Sequence, residues 1–336
     1  MEKVQALTVK HRIRKRLQEL PLLIGEYATW LERTKKPQTV LEYVKDVGLF
    51  SDYLKEREHQ RNAPFGQKTF EALQRTDVEE FLFTYLPKHE KVYTRLNGKE
   101  VHQTFNNHQN SQRRKLSALR SFSRFLLLEA KLVTLDITHG IEIGRVKERT
   151  VPFLTKEKQT ALLDAMEQFS EDEFQKVRNQ FITFLFLKVG LKTSELLELD
   201  IQDVDIKRER IRIQRNELDD PIYMDIQKIP KSVSHRYIEL REEKHILMGW
   251  HHDALFLSIQ NKRLNRRTIH YIFQRYESFI DSNDKLTPQL LRNTFVMETP
   301  LRKEDVKKVA RQLGTRDIYA TIRTYPVLKK KKRSNQ

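Results

Sequence analysis

The chain has 336 residues, 38% of them hydrophobic and 32% charged, a globular composition that exceeds the usual size of one compact core. The absence of cysteine excludes disulfides and thiolate metal sites, and no stretch has the roughly 18 consecutive apolar residues of a membrane span. The formal net charge of +17 favours an anionic partner, for which nucleic acid is the first candidate.

The first half of the chain is predicted to be a helical domain that follows a basic N-terminal arm. Residues 1–20 form this arm or helix and lack an apolar core of signal-peptide length, so we expect a cytoplasmic protein. Apolar residues recur at helical spacing over 22–57, interrupted at Pro37, and again over 76–86. We assign residues 21–140 to this domain.

The segment 111–130 is predicted to be an amphipathic helix with a basic face. At about 100° per residue one face carries Arg113, Ser117, Arg120 and Arg124, and the opposite face carries Ala118, Leu119, Phe122, Phe125 and Leu126. Such a stripe is often only a solvated face, but the net charge of the chain favours contact with an anion. The candidate DNA-binding residues of this helix are Arg113, Arg114, Arg120 and Arg124.

The second half is predicted to be a separate domain of helices and a small sheet. Two glycines, a proline and several charges over residues 139–153 favour a linker, which we place at 141–153. The domain itself spans 154–328, with a buried apolar run at 181–190 and an alternating pattern over 210–229 that predicts antiparallel strands. Residues 329–336 form a flexible basic tail. The fold class is mainly α with a small antiparallel β-sheet.

A second cluster of cations occurs near residue 266. Arg266 and Arg267 stand at a predicted helix start, where positive charge is unfavourable to the helix dipole. This placement suggests an anion nearby, although a solvated helix end also explains it, and we add Arg263 to the candidate DNA contacts. The pair His251-His252 has no partner at metal-ligand spacing, so we expect a surface loop there and no metal site.

Several segments resemble the tyrosine recombinase, or phage integrase, family in the family's own order. Residues 188–206, KVGLKTSELLELDIQDVDI, resemble its Gly-Leu-Arg-x-Ser-Glu-Leu segment, and 210–229 follow where the family has a β-hairpin. Residues 286–295, LTPQLLRNTF, resemble the second catalytic box. Residues 310–314, ARQLG, resemble the next helix, and 323–328, RTYPVL, the segment of the nucleophilic tyrosine. The resemblance implies a two-domain clamp on double-stranded DNA, whose first domain is the helical core-binding domain.

The resemblance also implies a particular chemistry. A tyrosine hydroxyl attacks a DNA phosphodiester and forms a 3′-phosphotyrosine, although free tyrosine, with a pKa of about 10, is a weak nucleophile at neutral pH. Two arginines neutralise the phosphoryl oxygens, a lysine protonates the leaving group, and histidines transfer and orient protons. The family requires no metal and no cofactor.

Most of these groups are replaced at the matching positions of this chain. Lys192 stands at the first arginine position and keeps a cation without the bidentate fork. Gln289 and Asn293 occupy the positions of the two histidines of the box, and neither side chain titrates. Thr315 replaces the family's later histidine, whereas the arginine of the box is retained as Arg292.

The lysine of the hairpin and the nucleophile are less closely matched. The lysine position falls near Asp219, and Lys207 or Lys228 would serve only in another register. Tyr325 stands one residue beyond the usual position of the nucleophile, with Tyr319 as the other candidate. An ordinary, partly buried tyrosine is the alternative interpretation of Tyr325.

We therefore expect a DNA-binding protein without catalytic residues, in which Lys192 and Arg292 still hold a phosphate. Its predicted role is a transcription regulator or repressor of a phage or prophage, similar to SPβ-type prophage repressors with an integrase-like fold. The alternatives are an active recombinase that uses Tyr325 and a basic structural or RNA-associated protein. A short, like-charged stretch after Tyr325 offers little surface for exchange, so we predict a monomer in solution that pairs on DNA.

Overall fold

The structure is a computed structural model and describes residues 2–88, 90–94, 100–104, 109–144, 151–215, 220–280, 285–299, 310–314 and 325. The chain divides into two compact units, Met1–Arg149 and Thr150–Gln336. Both units are mainly helical and the second contains a small antiparallel sheet, so the predicted fold class is confirmed. None of the helices within these ranges combines the length and the apolar character needed to cross a bilayer.

The first unit consists of helices around an aromatic core. The rings of Tyr27 and Phe122 lie 5.1 Å apart, as do those of Phe50 and Phe81, and all four side chains are buried. A π-helical turn, Phe81–Tyr85, joins α5 to α6. The elements are α1 (Glu2–Leu17), α2 (Leu22–Glu32), α3 (Pro37–Gln60), α4 (Gln67–Glu71), α5 (Arg75–Glu80), α6 (Leu86–Lys88), β1 (Glu90–Thr94), β2 (Glu100–Thr104) and α7 (Gln109–Leu128).

Helix α1 packs into this core and does not extend away from it. Ile13 is buried among the apolar residues of the unit. Arg16 in the last turn of α1 forms an ion pair with Asp52 of α3 at 3.4 Å. Of the two forms predicted for residues 1–20, an arm or a basic helix, the structure has a helix over Glu2–Leu17.

Residues 90–94 and 100–104 form a pair of strands that the sequence does not reveal. The polar composition of residues 88–104 and the pair Asn97-Gly98 indicate only a turn. Strands β1 and β2 nevertheless pair antiparallel, with Glu90 opposite Thr104. A strand is recognised from sequence when one face is apolar, and neither strand has a sustained alternation of that kind.

The second unit combines helices with a three-stranded antiparallel sheet of order β3-β4-β5. The predicted sheet is confirmed: Ile211, Ile213 and Met224 are buried from its strands. Thr155 caps α8, because its hydroxyl accepts a hydrogen bond from the backbone N–H of Lys158 at 3.5 Å. The elements are α8 (Lys156–Gln168), α9 (Glu173–Phe184), α10 (Thr193–Glu198), β3 (Val204–Asp205), β4 (Arg210–Ile213), β5 (Ile222–Asp225), α11 (Lys231–Met248), α12 (Arg266–Tyr276) and α13 (Pro288–Glu298).

The apolar run 181–190 passes through the centre of the second unit. Phe181, Leu185 and Phe186 are fully buried, as predicted, and a π-helical turn extends α9 as far as Val189. Gly190 then ends the helix with a φ of +73°, a left-handed conformation. A Cβ atom at Gly190 would collide with the Phe295 ring, so glycine allows α13 to approach this turn closely.

Candidate functional site

The predicted catalytic box lies on α13, which packs against the π-helical turn that follows α9. The Thr287 hydroxyl accepts from the backbone N–H of Leu290 at 3.2 Å and caps the helix. Arg292 and Asn293 are 7% and 8% exposed, whereas Gln289 is exposed. The helix therefore turns the arginine and the asparagine of the motif into the unit.

Arg292 binds the main chain on two sides. Its Nη1 donates to the carbonyl of Gly190, and its Nη2 donates to the carbonyl of Leu313 at 2.6 Å. Burial lowers the pKa of the guanidinium, and the nearby Glu195 opposes this effect. Because both terminal nitrogens bind carbonyls, the guanidinium joins two segments far apart in sequence.

Tyr325 contacts the position that replaces the second histidine of the box. Its hydroxyl donates to Asn293 Oδ1 at 3.0 Å, and Gln289 Nε2 donates to the same oxygen at 2.8 Å. Asn293 Nδ2 donates in turn to the carbonyl of Pro152 at 3.1 Å. Burial raises the pKa of the Tyr325 hydroxyl, while the positive charge of Arg292 acts in the opposite direction. The structure thus brings four of the predicted site residues together.

Lys192 stands at the N-cap position of α10. Its Nζ donates to the carbonyl of Gly314 at 2.9 Å and lies 3.8 Å from Glu195 Oε1. The Glu195 carboxylate also accepts from the Lys192 backbone N–H at 2.9 Å, which satisfies a donor at the start of the helix. Glu195 therefore lies beside Lys192 and also acts on the charge of Arg292.

Arg215, two residues beyond the end of β4, is a buried cation that sequence reasoning missed. It is 4% exposed, and its Nε donates to Glu195 Oε1 at 2.8 Å. Its Nη1 and Nη2 donate to the carbonyls of Arg311 and Gln312. The signal was available: the buried residues Ile211 and Ile213 alternate along β4, and the same alternation puts residue 215 on the inner face.

Some predicted site residues lie outside the described residues, namely Asp219, Thr315, Tyr319 and the tail 329–336. Lys207 and Lys228, the alternatives for the hairpin lysine, are both exposed. The cation that the hairpin contributes to this site, within the part of the chain that the structure describes, is Arg215.

Two arginines of α7 bind the segment that follows the helix. Arg113 Nη2 donates to the carbonyl of Gly144, and Arg120 Nη2 donates to the carbonyl of Ile141 at 2.8 Å. Arg120 is nevertheless exposed, while Arg113 is half-buried. Part of the predicted basic face therefore has an internal partner.

The other two arginines of α7 differ from each other. Arg114 forms an ion pair with the buried Asp46 at 2.6 Å and lies 3.7 Å from Glu42. Arg124 is exposed, and no ion pair of Arg124 occurs among the described residues. Arg124 is thus the member of the predicted face that is most available to an anion.

The start of α12 presents two exposed arginines. Asn265 caps the helix by accepting from the backbone N–H of Thr268 at 3.0 Å. Arg266 is exposed, and Arg267 donates to the Tyr271 hydroxyl from Nε at 3.1 Å and from Nη2 at 2.9 Å. The charges stand at the positive end of the helix dipole, as predicted.

Arg263, the third candidate in this region, is used inside the unit. Its Nη1 donates to the carbonyls of Leu197 and Leu199 at 2.9 and 3.0 Å, and its Nη2 pairs with Asp200. Its side chain is 12% exposed. These bonds link the end of α10 to the chain before α12.

The histidine pair does not form a metal site with its neighbours. His251 is exposed, and His252 Nδ1 accepts from the backbone N–H of Ala254 at 3.0 Å. Among the residues that the structure describes, no group of three or more histidines and carboxylates could hold a metal ion.

Comparison with known proteins identifies the family of this fold. Residues 152–332, more than half of the chain, match the phage integrase family. The tyrosine recombinase XerC of Thermodesulfovibrio yellowstonii is 28% identical over 210 residues, which are 62% of this chain and 68% of the relative. XerC of Caldanaerobacter subterraneus subsp. tengcongensis is 26% identical over 306 residues, 90% of this chain and 82% of the relative.

A solved structure has the same fold. The XerH site-specific recombinase, crystallised with a palindromic difH substrate in a post-cleavage complex, superposes with a TM-score of 0.63 at 14% sequence identity. The match covers 89% of this chain and 81% of XerH. The motifs, the fold and the family match agree, and the protein belongs to the phage integrase family of tyrosine recombinases.

Proposed function

We propose that this protein binds double-stranded DNA without cleaving it and regulates transcription, as a repressor of a phage or prophage in the bacterial cytoplasm. Two lines of evidence support DNA as the partner: the net charge of +17, and the difH substrate bound to the XerH neighbour.

The observation that carries this proposal is the hydrogen bond of Tyr325 to Asn293. An asparagine amide cannot take the proton of a phenol at neutral pH, and the Gln289 amide beside it cannot either. Burial also raises the pKa of Tyr325, so the nucleophilic phenolate is disfavoured. Hydroxyl activation therefore lacks its base among these neighbours.

Stabilisation of a transition state is also weakened. Lys192 offers one ammonium in place of a planar fork, and it is hydrogen-bonded to Gly314. Arg292 already binds two carbonyls. Loss of one preorganised donor typically lowers a rate on the order of 100- to 1,000-fold, and groups that act as a unit lose their effect together.

The proposed DNA contacts are arginines at the surface of each unit. Arg120 and Arg124 are exposed on α7, and Arg266 and Arg267 at the start of α12. Exposed guanidinium groups can replace counterions along the phosphate backbone. We propose that the domains 21–140 and 154–328 each supply one of these surfaces and together clamp the duplex.

A nicked duplex tests the proposal directly. The full-length protein first selects a binding site from random-sequence DNA, and the selected site is then nicked beside each phosphate in turn to trap a covalent intermediate. We expect retarded complexes but no adduct that resists denaturation. A resistant adduct that is lost in Tyr325→Phe would establish cleavage. Failure to select any site would instead refute the proposal that the protein recognises specific DNA.

The second candidate function is an active recombinase with a divergent site. It is favoured by the position of Arg292 near Tyr325, because a positive charge there opposes the rise in the pKa of the hydroxyl that burial causes. The same trapping experiment distinguishes the two candidates. The repressor role is tested separately with a reporter gene whose promoter carries the selected site, where the intact protein should reduce transcription.

A further inference from the structure

We infer that Lys192, Arg215 and Arg292 form a carbonyl clasp, which binds the main chain of residues 311–314 and so closes the former catalytic site to a DNA phosphate. This inference rests on the loss of cleavage proposed above, but it does not depend on the proposed regulatory role. It also changes the expectation that Lys192 and Arg292 hold a phosphate.

Four consecutive carbonyls are bound by the clasp. Arg215 binds the first two, with its Nη2 2.9 Å from the Gln312 oxygen. Arg292 Nη2 lies 2.6 Å from the Leu313 oxygen, and Lys192 Nζ lies 2.9 Å from the Gly314 oxygen. The carbonyls belong, in order, to Arg311, Gln312, Leu313 and Gly314.

These carbonyls end a helical turn, which is where a helix is short of hydrogen-bond donors. The same end carries partial negative charge and attracts cations. Glu195, which is 7% exposed, accepts from Arg215 and lies near Lys192, so it offsets part of the positive charge. A phosphate that took the donors of Arg215 or Arg292 would displace these carbonyls, and that of Leu313, a residue only 1% exposed, would then lie buried without a donor.

Gly314 is adapted to this arrangement in two ways. Its φ is +62°, a conformation that side chains rarely adopt. A Cβ atom there would lie 2.7 Å from Arg215 Cζ and 2.8 Å from Arg215 Nε. Leu313, beside it, is 1% exposed and packs with Phe295 and Tyr325. The clasp therefore also sets the surroundings of Tyr325.

The first experiment uses a pair of glycines with nearly the same backbone. Gly249 has a φ of +63°, and a Cβ atom there would meet no other atom within 4 Å, so Gly249→Ala measures backbone strain alone. We expect this control to lower the Tm of the full-length protein by about 2–4 °C. Gly314→Ala should lower it at least twice as far, because the Arg215 guanidinium must also move. Equal shifts would overturn the clasp.

The second experiment separates the clasp from a phosphate site. Arg215→Lys should lower the Tm of the protein while DNA affinity and its dependence on salt stay within about twofold. Arg267→Lys, at the surface, should leave the Tm unchanged. If Arg215→Lys does not fold, Lys192→Met is used in its place, because the Lys192 side chain is half-exposed and its loss should disturb the fold less. A weaker affinity and a shallower salt dependence at an unchanged Tm would identify a phosphate site and refute the inference.

Discussion

The arginines of this protein fall into two groups that differ in what surrounds the guanidinium. Arg215 and Arg292 are 4% and 7% exposed and donate to carbonyls or to Glu195. Arg124 and Arg266 are exposed to solvent. A guanidinium can bond a phosphate directly only with donors that are not already bound inside the protein. We therefore expect burial to be a better guide to DNA contact than position in a motif.

Helix α7 contains both situations within a few turns. Arg114 pairs with the buried Asp46, and Arg113 bonds the carbonyl of Gly144. Arg120 is exposed yet bonds one carbonyl, and Arg124 is exposed. The assignment of all four to DNA stays a prediction, and the contacts rank Arg124 and Arg120 ahead of the other two.

The largest expected effect tests the buried group. Arg215→Ala leaves Glu195, 7% exposed, without its nearest cation. Removing one partner of a buried ion pair typically costs about 3–5 kcal/mol in the free energy of unfolding. Urea denaturation of the full-length variant measures this loss. Arg124→Ala, the exposed counterpart, should change the free energy by less than about 0.5 kcal/mol. Similar losses in both variants would abolish the distinction.

Charge reversal on α7 tests the exposed group. Arg120→Glu should weaken binding to the selected duplex on the order of 10-fold at low salt, because one phosphate contact becomes a repulsion. The control is Arg236→Glu, since Arg236 is paired with Glu173 and Glu243 at 2.9 Å and faces carboxylates. An unchanged affinity in Arg120→Glu, measured by fluorescence anisotropy, would show that α7 does not face DNA.

A smaller effect concerns the segment whose carbonyls receive Arg113 and Arg120. Asp136 at the start of this segment accepts from Ser123 Oγ and Thr138 Oγ1, each at 2.6 Å. Desolvation raises the pKa of the carboxyl, but these hydrogen bonds outweigh it and the pKa is lowered. The ionised form therefore stabilises the fold above the ordinary pKa of about 3.9, and this contribution is lost as the pH falls through the lowered pKa.

Asp136→Asn should accordingly cost about 1 kcal/mol in the free energy of unfolding at pH 7, a modest figure because solvent screens this exposed carboxylate. The difference from the native protein should shrink as the pH falls below about 3.9 and through the lowered pKa of Asp136. Urea denaturation at several pH values measures both. A difference that does not depend on pH would assign the effect to packing instead of charge.

The smallest effect separates one phosphate contact from general electrostatics. Arg124→Gln should reduce the slope of log affinity against log salt by about 0.9, the value for one released counterion on B-DNA. Arg33→Gln, in the same unit, removes an equal charge from an exposed pair with Glu129 at 2.9 Å. That control should leave the slope unchanged, and an equal reduction in both variants would show that only net charge matters.

The sequence alone determined the features that depend on local periodicity and on motifs. The helical spacing predicted α7, the alternation predicted the sheet of β4 and β5, and the apolar run 181–190 predicted a buried segment. The motif order identified the family. These patterns are readable because each is repeated within one element.

Only the tertiary structure decided which cations have donors left for a partner. Arg292 bonds the carbonyl of Gly190, 102 positions away, and Arg215 bonds that of Gln312, 97 positions away. The antiparallel pair of β1 and β2 likewise depends on pairing between strands and not on an apolar face. Residue type and spacing fix charge and periodicity locally, whereas a hydrogen-bond partner is set by whichever distant segment the fold brings within about 3 Å.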